Sequence, residues 1–237
     1  MDVLWEALKF IGRNGQVDGV PQLPSLLHLT LEHLRISAIG VALSAAIAVP
    51  LGVWLGHLRR GSFLAITVGN VGRALPSLAV LAIGVALLGL GLANVEVALV
   101  VLAAPPLLTN AYVAVAGVDR EVVDAARGLG MTGFEVVRKV ELPLALPLLF
   151  AGLRTATLLV IATATITALT GYSGGLGDVI ANETSYRLSG VLGGAICVAV
   201  LALAVDGLLV LAQRMLTPRG LRLASPGTAA ARGRDGV

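Results

Sequence analysis

Charge is scarce in this chain. Of its 237 residues 13% are Asp, Glu, Lys or Arg, 4% are aromatic, three are histidines and one is a cysteine. Each shortage excludes something. A single thiol, Cys197, cannot close an intramolecular disulfide, and within an apolar run it reads as a small buried residue. His28, His33 and His57 are joined by no cysteine–carboxylate set, and the five-residue step from His28 to His33 is a poor helical ligand pair. No metal site is expected, and the three histidines read as interfacial polar residues. No Gly-x4-Gly-Lys-Ser/Thr segment occurs, so the chain brings no phosphate cradle of its own. Met1 to Gly15 carries Trp5, Glu6 and Lys9 and lacks a long apolar region, so no cleavable signal peptide is expected.

What is abundant is apolar. Hydrophobic residues make up 57% of the chain, and mean hydropathy is +0.91, far outside soluble globular usage. Uncharged runs extend over Ile36–Gly56, Ala74–Val95, Val97–Val118, Thr155–Gly177 and Leu188–Val205. A helix needs roughly 20 apolar residues to cross about 30 Å of hydrocarbon. These runs are apolar all round, which a soluble bundle cannot accommodate. The expected class is an all-α polytopic membrane protein with five transmembrane helices, or six. The 29 glycines suit close helix contacts in lipid.

The net charge of +3 reads as topology, not nucleic-acid binding. Arg59, Arg60, Arg120, Arg127, Arg138, Lys139, Arg214, Arg219, Arg222, Arg232 and Arg234 gather on one side of the spans. Lys9, Arg13 and Arg187 fall on the other. The positive-inside rule makes the richer side cytoplasmic, with the N-terminus outside and the C-terminus inside.

Along the chain, residues 1–24 form a mixed extracytoplasmic segment with Pro21 and Pro24 marking a break. Ser25 opens a helical lead-in at the outer interface that runs into the first span, which Pro50 bends. The stretch Gly61–Leu92 is too long for one straight span and too short for two. Arg73 and Pro76 within it predict a broken helix whose freed backbone faces protein or a water-filled path. Asn94 and Glu96 predict a short outer turn, and Pro105-Pro106 a bend midway through the third span. Asp119 can cap a helix from Arg120, Gly128 and Gly130 can end it, and Thr132 can cap a second. Pro143 and Pro147 open a fourth span lined with threonines. Gly171–Gly177 makes an outer turn, a short polar helix follows near Asp178–Tyr186, and the fifth span ends near Leu216. Residues 217–237, rich in Arg, Gly, Ala and Ser, read as a disordered cytoplasmic tail.

The segment 119–143 is a polar helix-turn-helix between spans, a handle for something outside the membrane. Val122, Val123, Ala126 and Leu129 form an apolar ridge at helical spacing, with Asp124 and Arg127 beside it. Ala125-Ala126 permit close approach and Gly130 a turn, so a partner groove can accept this helix.

The residues Asp124-Ala125-Ala126, three residues, Gly130, nine residues, Val140, one residue, Leu142-Pro143 resemble the EAA loop of ABC-importer permeases. Asp124 stands where that loop has Glu, and Val140 where it has Ile. A narrower resemblance runs collinearly over residues 26–212, to the permeases that import glycine betaine, choline, carnitine and related osmoprotectants. It is carried by Arg73-Ala74-Leu75-Pro76-Ser77-Leu78-Ala79, by Asp124 to Met131, and by Val140 to Pro147. Ala151-Gly152-Leu153-Arg154-Thr155-Ala156-Thr157 and Gly174-Gly175-Leu176-Gly177 complete it. Tyr172-Ser173 departs from that pattern, which usually has Gly-Ala.

The resemblance implies a type I ABC importer permease core over residues 25–216, with Val122 to Arg127 and Gly130 gripping the ATPase. It implies no catalytic residue or cofactor in this chain, ATP bound by a partner, and residence in the cytoplasmic membrane. The implied partners are two ATPase subunits, a second permease subunit (identical or paralogous), and an extracytoplasmic binding protein. A permease for methionine or another small nutrient is the alternative. An ion-coupled secondary transporter is disfavoured by the EAA loop and by the absence of a buried acidic pair in the span centres.

A translocation path is expected along Arg73, Pro76, Thr163, Thr167, Thr170, Tyr172 and Gly175. The threonines recur every three or four residues and share one helix face. They can equally bond back to carbonyls one turn earlier and bend the helix. Arg154 reads as a structural arginine with Asp206 as its partner. Gly171-Tyr172-Ser173-Gly174-Gly175 fits Gly-x-Ser-x-Gly, but no histidine follows Ser173 and no strand precedes it, so a serine hydrolase is not expected.

Overall fold

The computed structural model describes residues 2–17 and 23–217. Pro21 and the tail beyond Thr217, with Arg219, Arg222, Arg232 and Arg234, lie outside them. Helix α1 (Asp2–Gly12) precedes α2 (Leu26–His57), α3 (Ser62–Ala74), α4 (Ser77–Leu88) and α5 (Leu92–Ala116). Next come α6 (Arg120–Gly128), α7 (Gly133–Val136), α8 (Leu142–Ala164), α9 (Leu176–Ala181) and α10 (Glu183–Leu216).

Four stretches are long and apolar enough to cross a membrane: α2, α5, the continuous helix Gly133–Ala164, and α10. The pair α3–α4 makes a fifth if its two arms, bent by 90°, count as one broken span. A sixth is not found among the described residues. The bend has a local cause. Leu75 is extended (φ −69°, ψ 121°), as a residue before proline prefers, and Pro76 brings no N–H to continue the ladder.

The interior is organised by α5, which packs against α2, α3, α4 and α8. Ala48, Val95, Leu99, Ala103, Leu107, Ala156 and Val160 form its centre. Helix α2 meets α5 through a stripe of small residues, Ser37, Gly40, Ser44, Ala48, Gly52 and Gly56, all buried. The approach is close enough to exclude a side chain. A Cβ on Gly52 would stand 2.6 Å from the Leu108 carbonyl, and one on Gly56 2.8 Å from Val115 Cβ. Such proximity gives dispersion contact where no hydrophobic drive acts between helices in lipid. At the other edge, Phe10 of α1 lies edge-on to Tyr186 with centroids 6.2 Å apart, binding α1 to α10.

Several expectations need correction. Asn94 and Glu96 belong to the first turns of α5; the turn before it is Gly89–Gly91, with φ +79° and +125° at its two glycines. His33 is fully buried, not interfacial, and its Nε2–H donates to the Ile161 carbonyl at 3.1 Å. The second helix of the 119–143 segment does not stop before the fourth span. It runs on through a π-helical turn, Val137–Glu141, ahead of Pro143. Thr167 and Thr170 lie past the end of that span, in a 3₁₀ turn over Ile166–Thr170. Arg154 and Asp206 are paired as expected, by Nε–Oδ1 and Nη2–Oδ2 contacts of 2.7 and 2.8 Å.

Filling the α2–α5 contact tests this packing. Gly52→Leu should cost about 2 kcal/mol or more, because backbone lies in the way and the helices must separate. Gly207→Ala, with open space at its Cβ, should stay within about 1 kcal/mol of wild type. Thermal unfolding of both variants in detergent is the measurement.

Candidate coupling site

The segment after α5 is built from strong local signals. Asp119 caps α6, its Oδ1 accepting from Glu121 N–H at 2.9 Å. The helix ends in a Schellman motif: Gly130 at φ +85° donates to Arg127 O, and Met131 donates to Ala126 O. Only glycine holds that left-handed position without strain. Thr132 and Glu135 then form a reciprocal capping box at the start of α7, with Lys139 bonding Glu135 at 2.8 Å.

Packing divides the predicted ridge in two. Val123 and Ala126 are buried against Val118 and Val136, with Met131, Val140 and Leu144 alongside. They belong to the segment's own small core, which corrects the expectation that Ala126 meets a partner. Asp124, Ala125, Arg127 and Gly130 are exposed. So are Val122, Leu129 and Phe134, at 44%, 81% and 73% exposure. Phe134 carried no motif signal, and only its apolarity next to a turn marks it in the sequence.

Two polar links tie the segment to the end of α2. His57 Nδ1–H donates to Glu141 Oε2 at 2.7 Å, and Glu141 is buried to 1% exposure within the π turn. Arg59 donates to the Val118 carbonyl at 2.6 Å. A cavity of about 500 Å³ opens between the two elements, lined by Arg59, Arg60, Arg120, Asp124 and Arg127. His57 reads from sequence only as an interfacial polar residue and Glu141 carried no expectation, though a glutamate between Val140 and Leu142 in an apolar helix had to find a partner.

The expected path residues are spread along the fold. Arg73 and Pro76 lie at the 90° bend and are exposed. Thr163, Thr167 and Thr170 are buried, and the last two hydroxyls bond back to Ala164 O at 2.8 Å and Thr167 O at 2.6 Å. Tyr172 and Gly175 stand in the turn beside the start of α2. Among the described residues no group of three or more His, Cys, Asp or Glu could hold a metal ion.

Comparison with known proteins follows the same outline. Residues 48–219 match the family model described as binding-protein-dependent transport system inner membrane component. The chain belongs to that family. It is 42% identical over 198 residues to the glycine betaine/carnitine/choline transport system permease protein OpuCB of Bacillus subtilis (strain 168), covering 83% of this chain and 91% of that one. The choline transport system permease protein OpuBB of the same organism gives the same identity and coverage. The carnitine transport permease protein OpuCB of Listeria monocytogenes is 39% identical over 204 residues, 86% of this chain and 93% of that one. Among solved structures, the inward-facing MetNI methionine ABC transporter superposes with a TM-score of 0.71 at 22% identity, covering 81% and 96% of the two chains. An amino acid ABC transporter with histidines gives 0.62 at 20% identity, covering 80% and 92%. These two likenesses bear on fold alone: a type I ABC importer permease.

The His57–Glu141 link yields a stability prediction for this family member. Glu141→Ala leaves the imidazole without its acceptor and should cost about 1–3 kcal/mol. His57→Ala should do the same, and the double variant should lose clearly less than the sum. Additive losses in a double-mutant cycle, read by thermal unfolding, would show that the contact carries no coupling.

Proposed function

We propose that this chain is the membrane-spanning permease subunit of an ATP-driven importer of quaternary-amine osmoprotectants, such as glycine betaine, choline, carnitine and proline betaine. The relatives named above support the substrate class, since the likeness extends over nearly the whole of both chains. A methionine permease has only a fold-level likeness in its favour.

The observation that carries the transport mechanism is an exposed apolar patch on a segment bonded to the bundle. Val122, Ala125, Leu129 and Phe134 form the surface offered to an ATPase groove, with Asp124 and Arg127 at its side and Gly130 fixing the turn. Two ATPase subunits bind ATP and grip two permease subunits, identical or paralogous, through these patches. Closure of the ATPases pulls on α6. The His57–Glu141 and Arg59–Val118 links, with the unbroken helix into α8, pass that displacement to the spans. A binding protein delivers solute to the other face. Arg73, Pro76, Thr163, Thr167, Thr170, Tyr172 and Gly175 border the path. The orientation follows the arginines, with the N-terminus outside and α6 in the cytoplasm. Residues 1–24 are then extracytoplasmic, and 217–237 form a cytoplasmic tail after the permease domain.

Leu129→Asp and Phe134→Asp each place a carboxylate in the docked contact, where burial without a partner costs several kcal/mol. Co-purification of the ATPase and solute uptake should both fall at least about tenfold, with normal membrane insertion. Undiminished co-purification would overturn the docking surface. Ala126→Asp should instead destabilise this chain itself. Orientation is checked in a Cys197→Ala background. Cysteines at Gly61 and Thr132 should react with impermeant thiol reagents only from the cytoplasmic face, and one at Leu90, which is 69% exposed, only from outside.

A further inference from the structure

The end of the bundle opposite the coupling segment holds a second cavity. Helix α2 separates the two: its 32 residues span about 48 Å from Leu26 to His57. This cleft measures about 330 Å³ and lies between the start of α2 and the turn after Thr170, walled by Pro24, His28, Glu32, Gly171, Tyr172 and Gly174. Small-molecule pockets run from about 300 to 1,000 Å³, so it suits one small ligand.

Two acceptor groups beside it, on Glu96 and His33, have no donor. Both carboxylate oxygens of Glu96 are buried and have no hydrogen-bond partner, and the side chain lies against Gly40. Glu32 is taken up by Arg35, at 2.9 and 3.2 Å. Glu32 and Arg35 satisfy each other, which leaves Glu96 as the carboxylate without a bonded partner. His33 adds a second unpaired acceptor. The Ile161 carbonyl can only accept, so Nε2 carries the hydrogen and Nδ1 of the neutral ring is a bare acceptor. That Nδ1 has no partner and would lie 3.1 Å from a Cβ on Gly175, directly under the turn.

The turn itself places a tyrosine at the cleft wall, half-buried and packed against the central core. Gly171 and Gly175 hold φ +77° and +98°, and the Tyr172 ring lies so close over Gly174 that a Cβ there would stand 2.5 Å from it. The ring is thereby pinned at the cleft wall. Burial, then the neighbouring Glu32 and Glu96 carboxylates, raise the pKa of its phenol, so the ring stays neutral.

A cation with no N–H to donate needs a ring face and a negative field, not directional acceptors. We propose that this cleft recognises a quaternary ammonium group, which rests on the Tyr172 ring with the Glu96 carboxylate behind it. The proposal rests on the substrate class inferred above and adds a recognition point in the permease itself, separate from the binding protein.

The test needs no binding protein. In the assembled importer, with Cys197→Ala and His28→Cys, the rate of thiol modification at the cleft is measured with choline present. Choline should slow modification at least about fivefold, and its neutral carbon analogue 3,3-dimethyl-1-butanol should not. Tyr172→Trp and Tyr172→Phe should retain protection, whereas Tyr172→Ala and Glu96→Gln should raise the half-protecting concentration about tenfold. Equal protection by the neutral analogue would overturn the proposal. So would protection unchanged in both Tyr172→Ala and Glu96→Gln, or none in the parent importer when that importer takes up choline. A parent importer that moves another solute and no quaternary amine would instead overturn the substrate class.

Discussion

A backbone in hydrocarbon has no water to bond, so every peptide group must find its partner within the protein. That constraint makes the fold helical, and it makes each departure from the α-helix costly. The departures are few and placed. The bend at Leu75-Pro76 separates α3 from α4, the π turn at Val137–Glu141 joins the coupling segment to α8, and the 3₁₀ turn Ile166–Thr170 leads into the glycine turn. Arg187, at φ 58°, breaks the start of α10. Thr165, Thr167 and Thr170 each return a hydroxyl to a carbonyl three residues back, satisfying backbone where the ladder is failing.

The π turn has a mechanical consequence. An ordinary loop between α7 and α8 would let the coupling segment swing freely. The helix instead continues from Gly133 to Ala164, and the turn within it holds Glu141 inward against His57. The handle is therefore attached to two spans, to α8 through the backbone and to α2 through side chains. Small residues then bring α2 within backbone distance of α5. A displacement at α6 has a continuous packed route into the bundle.

Much of this was legible in the sequence because its causes are local. Asp119, Gly130 and Thr132 act on groups within a few residues, so the coupling segment's caps could be read directly. Pro76 predicts its own bend. Arg154 and Asp206 had to pair because neither can sit alone in an apolar run. What could not be read depends on residues distant in the chain. The contact from His57 to Glu141 crosses 84 positions, and that from His33 to Ile161 crosses 128. Helical spacing put Val123, Ala126 and Leu129 on one ridge, but spacing does not say whose core a ridge faces. Val123 and Ala126 face their own. The polar pair Asn94 and Glu96 suggested a short outer turn, whereas helix contacts from α2 and α4 keep both inside α5.

The central claim is that this chain, driven by a partner ATPase, moves quaternary amines across the membrane. Purified importer should be reconstituted into vesicles with its ATPase, and the binding protein added to the face opposite α6. Radiolabelled choline, glycine betaine and methionine are then compared, with ATP supplied only on the α6 side. The account predicts ATP-dependent accumulation of choline or glycine betaine and none of methionine. Accumulation of methionine alone, or quaternary-amine uptake that follows an ion gradient and ignores ATP, would contradict it.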